Sequence, residues 1–202
     1  MDSDQKEENQ LEINRAIRTR RSIGKVSESM PDPQLIEKML EAAQWAPNHH
    51  MTQPWKYFVL TGEARNRLGT VMAEIKAETM SEEEQQTEAN MDRLSRERKK
   101  PLRSPVVIAV AVTPSDDPKV EEIEEICAVA AGVQNALLTA HALGLGAIWR
   151  SGKPTYHPRM KRFFGLGERD TLLGFLYVGY PSILPKERPR QALEEKVEWW
   201  DQ

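Results

Sequence analysis

Residues 18 to 25 read RTRRSIGK, which places Arg18, Arg20, Arg21 and Lys25 around the hydroxyl of Ser22. Guanidinium forks match phosphate and carboxylate oxygens, and a serine adds a neutral donor, so the chemistry on offer is anion binding. Three anions compete: a nucleic-acid backbone, a partner's acidic surface, or the phosphate of a small cofactor. Taken alone, the run also reads as a solvated helix end. His49-His50 is weak as a metal site, because adjacent histidines point apart and His141 and His157 lie far away without ligand spacing. Taken alone, Arg150, which follows an apolar stretch, reads as an ordinary surface arginine.

The charge of the whole chain narrows the choice. Lys and Arg number 28 against 31 Asp and Glu, a formal net charge of −3. A protein that lives by phosphate-backbone contacts needs a basic surface, since affinity grows with the phosphates neutralised. A local cluster in an acidic chain favours one compact anion over nucleic acid. With 202 residues, 39% of them apolar and 29% charged, a single domain with a well-charged surface is expected. No apolar run approaches the ~20 residues that span a bilayer, and MDSDQKEENQ at the start lacks an apolar core. Cys127 is the only cysteine, so no internal disulfide forms. A cytoplasmic protein without a membrane segment is the expectation, with residues 1–10 disordered.

The elements that must hold these groups are legible at coarse grain. Asp32-Pro33 reads as a helix start, and Leu35, Ile36, Met39, Leu40 and Ala43 form one helical face that Pro47 ends near Trp45. WKYFVL (55–60) reads as a strand ending at Thr61-Gly62. From Glu63 to about Lys100 the chain looks helical but short of apolar anchors, so 81–100 is expected to be an exposed helix or a mobile flap. VVIAVAV (106–112) reads as a strand covered on both faces. Residues 121–143 form the longest helix candidate, acidic in its first turn. GAIWRSG (146–152) is a short strand opening into a loop, 158–164 a brief helix closed by Gly165, and LLGFLYVGY (172–180) a buried strand. The architecture expected is α+β, a mixed sheet flanked by helices, with a tail over 182–202.

Five segments fall in a familiar order: the Arg-Arg-Ser of 20–22, APNHHMTQPW (46–55), GAIWRSG, GFLYVGYP (174–181) and the RPR of 188–190. The chain resembles the nitroreductase family of flavin mononucleotide (FMN)-dependent oxidoreductases, from about Leu11 to Trp199. The resemblance implies that Arg20, Arg21 and Ser22 hold the flavin's phosphate and ribityl chain, with Arg188 and Arg190 reaching the phosphate from the tail. It implies that Trp45, His49 and Gln53 contact the flavin, and that Trp149, Arg150 and Ser151 form a second contact. Many members carry a basic residue where Gly24 stands and an asparagine where Met51 stands. Arg150 or Lys25 are the cations left to serve the flavin's pyrimidine edge.

The same resemblance implies a homodimer with flavin at the subunit interface, NADH or NADPH as donor, and a small-molecule acceptor such as a nitroaromatic or quinone. Hydride passes through flavin N5 and the two substrates share one flavin face, so ping-pong kinetics are expected and no protein nucleophile is needed. A flavoenzyme of the same fold with another physiological reaction, and a non-catalytic flavin- or nucleotide-binding regulator, are the rival readings.

Overall fold

The computed structural model describes residues 13–183, 185 and 189–201. The expectation for residues 1–10 and the assignment of Arg188 lie outside these described residues.

Four strands form one sheet: β1 (Trp55–Leu60), β2 (Val106–Val112), β3 (Gly146–Arg150) and β4 (Thr171–Gly179), in the spatial order β1-β2-β4-β3. The α+β class is as expected. Every pairing between these strands is antiparallel, however, so the sheet of the described residues is antiparallel rather than mixed. A continuously apolar strand shows that both faces are covered and says nothing about the direction of its neighbours.

β2 shows how the two faces are filled. Val106, Ile108, Val110 and Val112 point into a cluster with α2 (Pro33–Gln44) and α6 (Glu122–Ala142). Val107, Ala109 and Ala111 point into the opposite cluster with α3 (Gly62–Ala77) and α7 (Pro158–Phe163). All seven are buried, and alternation by two divides them between the faces. α6 buries Ala128, Val129, Gly132, Val133, Ala136, Leu137 and Ala140 at helical spacing. α2 begins where the sequence predicts, with the Asp32 carboxylate accepting from the Gln34 amide at 2.9 Å and Pro33 in the first turn.

The weakly helical stretch after Thr61 is three helices rather than one. α3 ends at Ala77, and a capping box then starts α4 (Glu82–Gln85): Ser81 Oγ accepts from the Glu84 amide and Glu84 Oε2 accepts from the Ser81 amide. α5 (Glu88–Arg98) buries no residue, in line with its scarcity of apolar anchors, and packs along α3. A 3₁₀ turn, Lys100–Arg103, leads into β2. A further helical turn over 13–19 (α1) precedes the basic run.

Candidate functional site

The basic run leaves α1 and is laid along the edge of the sheet. Arg20 N still donates to Ala16 O at 2.9 Å, whereas Ile23 N donates to Ala147 O of β3 at 3.0 Å. Ser27 N and Ser182 N then tie the segment to the end of β4, through Tyr180 O and Lys25 O. Backbone bonds therefore fix Arg20–Ser22 relative to β3, the strand that carries Trp149 and Arg150.

Charge accumulates at the start of that segment. Arg20 has its guanidinium held below its ordinary range, first by desolvation and then by the like charges of Arg21 and Arg190. Its Nε is buried and, among the described residues, has no hydrogen-bond partner. Arg21 turns Nη1 onto the carbonyls of Arg18 and Arg20. His141, in the last turn of α6, is held below its ordinary value by burial and by the charges of Arg20 and Arg21. The hydroxyl of Thr19 donates to Arg15 O at 2.7 Å, so its oxygen is left to accept from His141 Nε2, 2.9 Å away. Arg20, Arg21, Arg190 and His141 thus share one electropositive corner. A dianion would relieve their mutual repulsion.

At the far end of the segment, Gly24 meets Arg150. A Cβ added to Gly24 would lie 2.9 Å from Arg150 Nη2, so the guanidinium lies against the glycine backbone where a side chain would otherwise stand. Arg150 Cζ also sits 5.5 Å from the centre of the Tyr177 ring, and its Nε is buried without a partner among the described residues. Of the two cations considered for this position, Lys25 is exposed and Arg150 holds the place beside Gly24. Gly174 on β4 makes the arrangement of β3 feasible. Its φ is +149°, and a Cβ there would fall 2.5 Å from Trp149 Nε1 and 2.6 Å from Arg150 O. The β2–β4 register shifts beside it, between Val110 and Ala111.

Trp149, Arg150 and Ser151 line a hollow of about 370 Å³ together with Glu97, Lys100, Arg103, Phe175 and Tyr177. Residues of the supposed flap therefore form one of its walls. The sequence places Lys100 at the end of the supposed flap and Arg103 beyond it, with no role marked for either. Their position beside Pro101, immediately before a fully buried strand, was the available signal.

The remaining predicted residues sit elsewhere. Trp45 ends α2 and is 79% exposed. Trp45 and Gln53 line a second hollow, and His49 lines a third, against Ile123, Glu124 and Cys127 of α6. The loop holding them is strained: His50, Met51 and Gln53 all have positive φ, at 56°, 55° and 51°. None is glycine. Asn48 Oδ1 accepts from the Gln53 amide at 3.0 Å and so clips the loop across its base. Non-glycine residues in this conformation cost about 1–3 kcal/mol each and gather where structure serves function. Within one chain the structure brings Arg20, Arg21, Arg190, Trp149, Arg150 and Ser151 onto one edge, and sets Trp45, His49 and Gln53 apart from them in separate hollows.

Comparison with known proteins bears on the family and the fold. The model of the family described as "Nitroreductase family" matches residues 17–180. YdjA of Escherichia coli K12, an NAD(P)H nitroreductase by designation only, is 32% identical over 164 residues, covering 81% of this chain and 85% of its own. The crystal structure of a nitroreductase-like family protein from Bacillus cereus superposes with a TM-score of 0.80 at 28% identity, over 94% of this chain and 96% of that one. The FMN-dependent nitroreductase NfnB from Mycobacterium smegmatis, solved with NADPH, shares the fold alone, with a TM-score of 0.72 at 17% identity over 95% and 99% of the two chains. A family match over most of the chain, on a fold that places the Arg-Arg-Ser segment beside the Trp-Arg-Ser strand end, means that the chain belongs to the nitroreductase family.

Proposed function

We propose that this chain is a cytoplasmic, FMN-dependent NAD(P)H oxidoreductase that works as a homodimer on a nitroaromatic, quinone or related acceptor. The observation that carries the cofactor assignment is the corner around Arg20, a partly desolvated guanidinium with an orphaned Nε crowded by Arg21 and Arg190. Crowded cations that have no carboxylate partner among the described residues fit a phosphate monoester, and Ser22 supplies a neutral donor beside them. Arg188, together with Arg190, belongs to the same proposed phosphate contact.

FMN supplies the redox chemistry, taking a hydride from NADH or NADPH and passing it to the acceptor. The chain supplies position and potential. Arg150, seated against Gly24, holds positive charge where the isoalloxazine's pyrimidine edge belongs, with Trp149 and Ser151 beside it. Trp45, His49 and Gln53 complete the site from the second subunit, which accounts for their separation from Arg20 and Arg150 within one chain. Exposed Trp45, Ile123, Trp199 and Trp200 are the apolar surface such a dimer would cover. Residues 81–100 act as a cover at the mouth of the hollow beside Arg150, and are expected to exchange their amide hydrogens far faster than 106–112.

The decisive experiment is a spectroscopic titration. Purified protein is expected to bind FMN, lose its yellow colour with NAD(P)H, and regain it with a nitro compound. Steady-state rates are expected to give parallel double-reciprocal lines, because donor and acceptor use one space in turn. Colour that NAD(P)H does not bleach would leave a flavin-binding regulator. Intersecting lines would refute the shared space.

A further inference from the structure

Beyond Arg150, the 370 Å³ hollow reaches the turn before β2, where Glu97, Lys100 and Arg103 make its far wall. Three cations there face one carboxylate. Glu97 is already paired with Lys100 at 2.7 Å. Among the described residues, neither Arg103 nor Arg150 has a carboxylate within ion-pairing distance. Both guanidinium charges act on the same phenol, that of Tyr177, which places them around one point of the hollow. Burial pushes the Tyr177 phenol up to about 12, so it stays neutral and does not itself answer those charges.

The rest of the lining is of another kind. Met72, Ile148, Trp149, Phe175 and Tyr177 give an apolar, largely aromatic wall facing the cations. Such a wall lowers the local dielectric and strengthens the attraction of the guanidinium groups for an anion. Small-molecule sites span about 300–1,000 Å³, so this one has room for a single ring and not for a dinucleotide.

We infer that the Arg103 end of the hollow is the acceptor subsite, and that it selects single-ring aromatic acceptors bearing a carboxylate, gripped by Arg103, while Arg150 at the other end serves the flavin. The inference rests on the flavoenzyme reading above for the word acceptor, and on the hollow alone for the anion.

Benzoate and benzamide have one shape and differ in charge, so they are the probes. Binding to the FMN-loaded protein is followed by perturbation of the flavin absorbance. Benzoate is expected to bind at least about tenfold more tightly, the worth of one charge-assisted hydrogen bond over a neutral one. Arg103→Met is expected to reduce that ratio about tenfold, and Arg103→Lys to restore part of it, with flavin content unchanged. The ratio of kcat/KM for 4-nitrobenzoate to that for its methyl ester should fall in parallel. Equal binding of the two probes by the wild-type protein overturns the inference. Flavin loss in Arg103→Met overturns it too, since Arg103 would then belong to the cofactor's own contacts. So does a changed NADPH-to-NADH preference with benzoate binding intact, which would assign Arg103 to the nucleotide's extra phosphate. A protein that takes up no FMN refutes the cofactor reading instead, and calorimetry with the same probes then decides the anion subsite.

Discussion

Around Arg150 the chain is held by strand register. Trp149 pairs with Leu176 and Arg150 with Phe175, and Ile23 is bonded to the other edge of β3. Around His50 there is no strand to do this. Three left-handed residues within four positions are kept in place by one asparagine clip and by packing of the 3₁₀ turn against α6. The first region is defined by side-chain charge on a relaxed backbone, and the second by backbone conformation with exposed side chains. The two call for opposite experiments: the first breaks when a side chain is added or a charge removed, and the second relaxes when a side chain is taken away.

The largest effect is expected where the register depends on a missing side chain. Gly174→Val combines a positive φ with atoms 2.5 and 2.6 Å from the new Cβ. It is expected to destabilise the fold by about 3 kcal/mol or more, read as a lowered urea midpoint. Wild-type stability in this variant would mean that Trp149 is not held by β4. Next comes the charge itself. Arg20→Ala should weaken FMN binding by about 1.5–3 kcal/mol, against about 0.5–1.5 kcal/mol for Ser22→Ala, in equilibrium dialysis. Equal retention of FMN by Arg20→Ala and wild type would remove the phosphate from this corner.

A paired substitution tests the strained loop. Met51 and Met91 are both exposed, at 72% and 54%, and differ in backbone: φ +55° in the loop against the interior of α5. Glycine in a helix interior costs about 1 kcal/mol, so Met91→Gly should lower the melting temperature. Met51→Gly relieves a left-handed residue and should be neutral or stabilising by less than about 1 kcal/mol, since the gain is offset by a looser unfolded chain. Identical losses in both variants would mean that the loop carries no strain.

The same contrast governs what could be read from the amino acids. Charge clusters and apolar periodicity are properties of residue type. RTRRSIGK, the Asp32-Pro33 start, β1 and β2 were legible to the residue, and the capping box at Ser81–Glu84 could have been used to split the long helical stretch. Strand direction was not legible, because burial on both faces is the same for parallel and antiparallel partners. Nor was the strain at His50, Met51 and Gln53, where glycine is absent and tertiary packing overrides local preference. There the motif resemblance singled out His49 and Gln53 without disclosing why their backbone is unusual. The wall formed by Lys100 and Arg103 escaped for another reason. Their turn buries only Pro101, and a polar segment with so little to bury reads as surface, even where it closes a hollow.

The smallest effect is one of pH, and it separates the charged corner from everything else. His141 has its pKa lowered from 6.5 by burial and by Arg20 and Arg21. The folded chain therefore binds fewer protons at this site than the unfolded chain. Stability from this source is complete above about 6.5 and declines as the pH falls through that value toward the lower folded pKa. Nε2 already donates to Thr19, so the added proton goes to Nδ1 and the Thr19 bond survives. The loss comes first from desolvating the new charge and then from its repulsion by Arg20 and Arg21, and not from a broken contact. His141→Gln keeps a donor for Thr19 and removes the titration, so its urea midpoint should be flatter than that of wild type between pH 7.5 and pH 5.5, a window set about the ordinary histidine value. Saturating inorganic phosphate should flatten the wild-type curve in part, because an anion between Arg20 and Arg21 cancels the charge that His141 meets and leaves its burial unchanged. A wild-type slope that neither His141→Gln nor phosphate alters would place the titrating group elsewhere and leave the Arg20 corner without an electrostatic link to α6.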